Sequence, residues 1–245
     1  MDKEREEKLK SNYKNVLEGF TKSKNTSKYT NQNAILLAVS KKRPCEDIKV
    51  IYDEGQRIFG ENYPQELLEK SKKLPKDIEW HLIGHLQSNK VKKLLEEIPN
   101  LVIESVDRVD IVEKINKFAS EKNKTKVYIE INISDEDSKT GCKQNDIFKI
   151  AEKIMDSPRL ELVGIMSLGN IGNKKEFEKM LKIKEELCEK YSLDKNKFIA
   201  SFGTSQDFNE AILSGTDEVR IGHQIFEVDW LIYKIFYINE LFITN

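Results

Sequence analysis

The sequence is short of the residues that would tie a chain to a metal, a disulfide framework or a membrane. Its three cysteines, Cys45, Cys142 and Cys188, are far apart, odd in number and without a C-x-x-C pairing. That argues against a structural zinc site and against disulfide staples, and it fits a reducing compartment. The three histidines, His81, His85 and His223, are too scattered for a metal-ligand motif. Neither sign of charge dominates: 41 Lys and Arg face 42 Asp and Glu, so the overall field exerts no pull on nucleic acid or on an anionic membrane. Met1 to Lys10 is mostly Lys and Glu, unlike an apolar secretory segment and too acidic for a transit peptide. The expected location is cytoplasmic. The most apolar stretch, Phe226 to Ile243, is interrupted by Glu227, Asp229, Lys234 and Glu240, whereas a spanning helix needs about 20 largely uncharged residues. It is expected to be a packed terminal helix or a partner-binding face. No G-x-G-x-x-G follows the first candidate strand, which weighs against a dinucleotide-binding sheet.

What is present is alternation. Lys3–Phe20 carries Leu9, Tyr13, Val16, Leu17 and Phe20 at spacings near three and four, an amphipathic helix. Thr21–Asn33 has too few apolar residues to enter a core and is expected to be a connector. Eight β-type runs then follow: Ala34–Ser40, Arg57–Gly60, Trp80–Gly84, Leu101–Ser105, Lys126–Ile133, Glu161–Ser167, Phe198–Gly203 and Glu218–Gly222. Between them lie helical stretches at Cys45–Glu54, Tyr63–Lys72, Ser88–Leu95, Val109–Glu121, Gln144–Met155, Lys174–Tyr191 and Gln206–Leu213. Strict β-then-α order implies parallel strands joined by right-handed crossovers. Eight such units in 245 residues fit an α/β fold of the (β/α)8 barrel type; an open doubly wound sheet is the competing architecture. The expected organisation is one barrel over residues 34–226, with residues 1–33 packed on it and 227–245 as an apolar tail.

In such a barrel, chemistry collects where the strands stop. Strand one, I-L-L-A-V-S, stops at Lys41, which by strand alternation shares a side with Leu37 and Val39. A lysine at that position is partly desolvated, which lowers its pKa and favours Schiff-base chemistry; the plainer alternative is a solvated loop lysine beside Lys42 and Arg43. Gly203-Thr204-Ser205 leads into a helix, offering backbone N–H groups to an anion, and Gly222 would let the loop after strand eight approach the same anion. An ordinary helix cap explains the first feature equally well. A barrel-mouth lysine together with a phosphate cradle describes a phosphorylated aldehyde held as an imine, the chemistry of pyridoxal phosphate.

Several motifs in this order, A-V-S-K at 38–41, F-G-E-N-Y at 59–63, W-H-L-I-G-H-L-Q-S-N-K at 80–90, S-V-D-R at 105–108, I-N-I-S-D-E-D-S-K-T-G at 131–141, G-I-M-S at 164–167 and V-R-I-G at 219–222, closely resemble the pyridoxal phosphate homeostasis protein family. That family resembles the barrel half of alanine racemases and of fold type III decarboxylases. The resemblance implies that Lys41 forms an internal aldimine with pyridoxal 5′-phosphate and that Asn62 lies beside the ring. It implies that Thr204, Ser205, Gly222 and His223 hold the phosphate and that Arg220 faces the pyridine nitrogen. Ser167, at the end of strand six, joins the same set. Two departures stand out: Thr204 replaces the usual Met, and His223 an often-found Thr.

The resemblance implies a vitamin B6 homeostasis protein that buffers or delivers its cofactor, with no established catalytic activity. A guanidinium is always a donor, so a pyridine nitrogen facing Arg220 stays unprotonated and the ring is a poorer electron sink. The racemase partner domain that would supply a second base is also absent from the sequence. A fold type III enzyme with weak racemase activity is the alternative. Expected partners are pyridoxal phosphate, other B6 vitamers and apo forms of enzymes that use it; the chain is expected to be a monomer or weak homodimer, without nucleic acid or membrane. His81 is expected to be a satisfied core histidine and Glu130 and Asn132 part of a hydrogen-bond network, while Asp135, Glu136 and Asp137 are expected to form a solvated turn.

Overall fold

The computed structural model describes residues 2–29 and 34–227. The expectations for the apolar tail at 228–245, and for the end of the connector at 30–33, lie outside the described residues.

The chain forms a closed, all-parallel barrel of eight strands in sequence order: β1 (Ile35–Val39), β2 (Ile58–Glu61), β3 (Glu79–Leu82), β4 (Leu101–Val106), β5 (Thr125–Glu130), β6 (Leu160–Met166), β7 (Ile199–Thr204) and β8 (Glu218–Ile221). The ring is closed by β1 pairing with β8 in the register Leu37 opposite Arg220. The crossovers carry α2 (Cys45–Asp53), α3 (Pro64–Lys73), α4 (Val91–Glu97), α5 (Val109–Phe118), α6 (Ile147–Met155), α7 (Lys174–Tyr191) and α8 (Phe208–Ser214), and a short α9 (His223–Phe226) follows β8. The (β/α)8 expectation therefore holds, and the open sheet is excluded.

Two layers of side chains hold the barrel. Outward-facing residues such as Leu36, Ala38, Phe59, Trp80, Leu82, Ile103, Val127, Ile129, Ala200, Phe202, Val219 and Ile221 pack with the helices in one large buried cluster. The inward-facing positions, two residues apart by the strand period, form a smaller cluster around Val102, Tyr128 and Met166. They are polar for much of their depth, with His81, Glu104, Ser201, Glu218 and Arg220 all buried. Register shifts between β4 and β5, between β5 and β6 and between β7 and β8 mark irregularities in the ladder of the kind that re-aim side chains.

The N-terminal helix α1 (Lys3–Thr26) packs against α2, α8 and α9. It buries Leu9, Tyr13, Val16 and Phe20 against the barrel helices. Arg5 ties it to Asp47 at 2.5 Å and to the Phe226 carbonyl at 2.7 Å, and Tyr13 donates its hydroxyl to Gln56 at 2.9 Å. The helix runs to Thr26, beyond the expected end at Phe20. The extra turn is polar, so apolar periodicity could not reveal it, but Ser23 is buried against Asn209. Most strand boundaries shift by one or two residues from those expected; β5 ends at Glu130 because Ile131 leaves the strand to form an isolated bridge with Cys142.

Candidate functional site

The carboxyl ends of β1, β2, β7 and β8 bring the sequence-predicted residues to one mouth. Lys41 follows β1 after Ser40, in a turn where the Arg43 N–H donates to the Ser40 carbonyl at 3.1 Å and Lys42 takes the left-handed φ of 58°. Its side chain is exposed to solvent at the open end. Desolvation by the surrounding barrel wall nevertheless lowers the amine's pKa, the charge of Lys42 adds to that, and Glu61 opposes it. A larger fraction of the side chain is thereby in the nucleophilic, neutral form than for an ordinary lysine.

Beside Lys41 lies a network that hydrophobic patterning could not reveal. Glu61 is wholly buried and Lys70, reaching back from α3, is only 6% exposed. The Lys70 ammonium donates to Glu61 Oε1 at 2.7 Å, to the Ser40 carbonyl at 2.9 Å and to Glu66 Oε2 at 3.1 Å. Ser40 donates its hydroxyl to Glu61 at 2.6 Å, and Glu66 accepts the Lys42 N–H at 2.8 Å. Glu61 sits inside the quoted F-G-E-N-Y motif, but Lys70 is one of three lysines in four positions of a charged helix, so its burial is a product of the tertiary structure alone.

Asn62 is half-buried at the end of β2. Gly84, at the end of β3, packs against its backbone: a Cβ on Gly84 would fall on the Asn62 carbonyl oxygen and 2.7 Å from its Cα. Gly222 makes a similar approach at the β8 end, where a Cβ would stand 2.7 Å from the Val39 carbonyl oxygen. These two glycines let the rims of neighbouring strands close on the same space.

Arg220 is buried inside the barrel and pinned at both guanidinium ends. Its Nη1 donates to the Ser201 hydroxyl at 2.5 Å and its Nη2 to the Ser167 carbonyl at 2.6 Å. Ser167 thus contributes its backbone to the orientation of Arg220. Ser201 in turn donates to Glu218 at 2.7 Å. Deeper still, His81 Nδ1 lies 2.5 Å from Glu104 and 3.9 Å from Glu218, and its Nε2 lies 3.3 Å from Glu79. Burial alone would lower the His81 pKa, but hydrogen bonds to Glu104 and Glu79, with the charges of Glu104 and Glu218, push it up to about 10. Burial raises Glu218 to about 8, helped by the Glu104 charge. His81, Glu104 and Glu218 stand close enough to share an ion, but the His81–Glu104 separation is that of a charge-assisted hydrogen bond. The expectation of a satisfied core histidine holds, and its partners could have been suspected from Glu104 standing in the otherwise apolar run L-V-I-E-S-V.

The turn after β7 differs from the sequence expectation. The Thr204 N–H and hydroxyl both donate to Asp207 Oδ1, at 2.7 and 3.1 Å, and Asp207 Oδ2 accepts the Gly172 N–H at 2.9 Å. The Thr204 backbone donor is therefore spent within the protein. Ser205 is buried, and its hydroxyl accepts the Gly222 N–H at 3.2 Å, which places the two rims side by side. His223 Nε2 stands 2.8 Å from Glu227, which also receives Arg43 at 2.8 Å. Burial, then the neighbouring charges of Arg43 and Lys41, lower the His223 pKa against the pull of Glu227. Its imidazole is thus directed to Glu227, not offered as a permanent cation to an anion.

Glu130 and Asn132 behave as a network. Glu130 receives the Thr140 hydroxyl at 2.5 Å and burial raises its pKa to about 7, and Asn132 donates to the carbonyls of Glu136 and Lys139. The acidic turn at 135–137 is exposed and partly paired with Lys139 and Lys179. His85 is exposed at the mouth, 3.8 Å from Asp107. No helix among the described residues is long and apolar enough to cross a membrane.

The donor set fits pyridoxal 5′-phosphate on chemical grounds: an amine of lowered pKa, a hydroxyl and closely approached rim peptides, and a fixed guanidinium surround one mouth. Comparisons agree. A profile of the alanine racemase N-terminal domain matches residues 22–229. The mouse pyridoxal phosphate homeostasis protein is 42% identical over 208 residues, 78% of this chain and 75% of the relative. Among solved structures, a Bifidobacterium adolescentis protein of unknown role superposes with a TM-score of 0.83 at 30% identity, over 92% of this chain and 97% of that one. PipY of Synechococcus elongatus, solved with PLP bound, superposes with a TM-score of 0.67 at 28% identity, over 80% and 93% of the two chains.

Proposed function

The chain belongs to the alanine racemase N-terminal domain family, and within it to the pyridoxal phosphate homeostasis proteins, and on that footing we propose that it binds pyridoxal 5′-phosphate at the barrel mouth in the service of vitamin B6 homeostasis. The carrying observation is Lys41, an amine of lowered pKa just beyond β1, the strand that pairs with β8, which bears Arg220 and leads into Gly222. When bound, the cofactor supplies an aldehyde that condenses with an amine and a ring able to accept electrons.

In this reading Lys41 holds the cofactor covalently, with Asn62 beside the ring. Ser205 and the Gly222–His223 turn hold the phosphate, and the Thr204 hydroxyl and backbone contribute only by releasing Asp207. Arg220 meets the ring nitrogen as a permanent donor. Because its two ends are fixed by Ser201 and the Ser167 carbonyl, it cannot turn away to let that nitrogen gain a proton. Binding and release are therefore favoured over carbanion chemistry, and the cofactor is handed on to apo-enzymes that use it. Vitamers without the aldehyde keep only the ring and phosphate contacts and bind more weakly. Residues 34–226 carry this function, with the N-terminal helix packed against them.

The reading is tested by titrating the purified protein with pyridoxal 5′-phosphate and following absorbance. Wild type should develop the band of a lysine-bound cofactor, and Lys41→Ala should give only the spectrum of free cofactor. Identical spectra for the two proteins would sink the assignment.

A further inference from the structure

Lys70 is unusual in being a nearly buried lysine whose ammonium has three oxygen partners, all of them around the segment that carries Lys41. One is the carbonyl of Ser40, the residue before Lys41, at 2.9 Å. Another, Glu66, holds the N–H of Lys42, the residue after it, at 2.8 Å. The peptide groups on both sides of Lys41 are thus fastened to one ammonium, directly on one side and through a carboxylate on the other. The third partner, Glu61 at 2.7 Å, is a fully buried carboxylate that also accepts from Ser40 and whose second oxygen has no hydrogen-bond partner.

We propose that Lys70 is a positioning residue for Lys41: it clamps the two peptide groups that flank Lys41 and is the ammonium partner of the buried Glu61 carboxyl. The inference rests on Lys41 being the cofactor lysine. It accounts for a problem that the site poses, since a buried carboxylate beside a nucleophilic lysine favours the ammonium form, which is unreactive. Glu61 already acts on Lys41 in that direction. Lys70 gives Glu61 a partner of its own at 2.7 Å, and burial, which raises the Glu61 pKa, acts against its charge as well. The other charged groups that bear on Lys41 are Lys42 beside it and His223 on α9; around the pair, Glu66 acts on Glu61, and Cys45 on α2 feels both Lys70 and Glu61.

The test follows the reactivity of Lys41 in the cofactor-free protein, with an amine-acylating reagent and peptide mass mapping across a pH series, together with the rate of adduct formation on addition of pyridoxal 5′-phosphate. Lys70→Met should slow adduct formation by at least about tenfold, because the peptide groups on either side of Lys41 lose their shared anchor. Lys70→Arg should restore most of that rate. The labelling midpoint shows whether a change in the charge of Lys41 accounts for the slower rate. The double variant Glu61→Gln with Lys70→Met leaves no unpaired buried charge, so it guards against a single variant that fails to fold, and its adduct formation stays slow because the clamp is gone. A wild-type rate of adduct formation in folded Lys70→Met, a slower rate explained wholly by a shifted labelling midpoint, or a double variant that forms the adduct as fast as wild type, overturns the proposal. If wild type itself forms no adduct on Lys41, the cofactor reading fails instead.

Discussion

Arg220 and Glu218, two residues apart on β8, share one hydroxyl: Ser201 accepts from Arg220 at 2.5 Å and donates to Glu218 at 2.7 Å. The strand period puts both side chains inside the barrel, so the guanidinium at the mouth is braced by a carboxylate one layer below it. A ring nitrogen set against that guanidinium meets a donor at every pH the protein survives. Incubated with L-alanine, the cofactor-loaded protein should therefore give no more D-alanine, by chiral chromatography, than free pyridoxal 5′-phosphate does. Steady production of the D-isomer would put the racemase reading ahead of the carrier.

The pair below, His81 and Glu104, makes the core sensitive to alkali. His81 has its pKa raised from 6.5 to about 10, so the folded state holds a proton that the unfolded chain has given up. That stability is complete below about pH 6.5 and is lost as pH rises through 10. Glu218, raised from 4.5 to about 8, acts in the same direction over a lower window. Glu79 acts in the opposite sense: lowered to about 2, chiefly by its hydrogen bond to His81, its contribution is present above pH 4.5 and lost on the way down to about 2. Urea unfolding at a series of pH values should show stability declining from neutrality toward pH 10. A flat profile there would mean that His81 is neutral in the folded protein.

Removing one member of that buried pair should cost far more than a surface change. Glu104→Ala leaves the His81 cation without its closest partner, and breaking a buried pair from one side costs about 3–5 kcal/mol. Thermal or denaturant melts of the cofactor-free variant measure it. A loss under 1 kcal/mol would show that the pair is dispensable.

Gly84 makes a different kind of prediction, because its lack of a side chain is what lets the β3 rim lie on Asn62. Gly84→Ala drives a methyl into the Asn62 backbone, and overpacking of this sort costs about 1–3 kcal/mol. The displaced group is a rim residue, so cofactor affinity should fall along with stability. Isothermal titration would show it, and unchanged affinity would place Asn62 away from the ring.

Ser205→Ala removes a hydroxyl that lies against the Gly222 peptide. A hydrogen bond to a charged group contributes about 1.5–3 kcal/mol, so affinity for pyridoxal 5′-phosphate should weaken by at least about tenfold, whereas affinity for unphosphorylated pyridoxal should change little. Equal losses for both would show that Ser205 shapes the site without touching the phosphate.

How much of this could be read in advance differs between the fold and the site. All eight strands and the order of the helices were visible because apolar runs separated by polar helices repeat along the chain, and that pattern survives without tertiary information. The strand ends that supply Lys41, Asn62, Ser205 and Arg220 followed from the same pattern. What stayed hidden are the polar contacts made inside the barrel or behind its wall. Lys70 looks like any helical lysine, and only the packing of α3 on β2 buries it against Glu61. Asp207 reads as a helix cap, and only the path of the turn shows that it captures Thr204. His223 suggested a substitute phosphate donor until its proximity to Glu227 gave the imidazole another partner.

The most direct test of the central claim is borohydride reduction of the protein loaded with pyridoxal 5′-phosphate, followed by protease digestion and tandem mass analysis of the peptide spanning residues 35–43. The account predicts a reduced cofactor adduct on Lys41 and none on Lys42 or Lys70. An adduct confined to another lysine, or none in a protein saturated with cofactor, would contradict it.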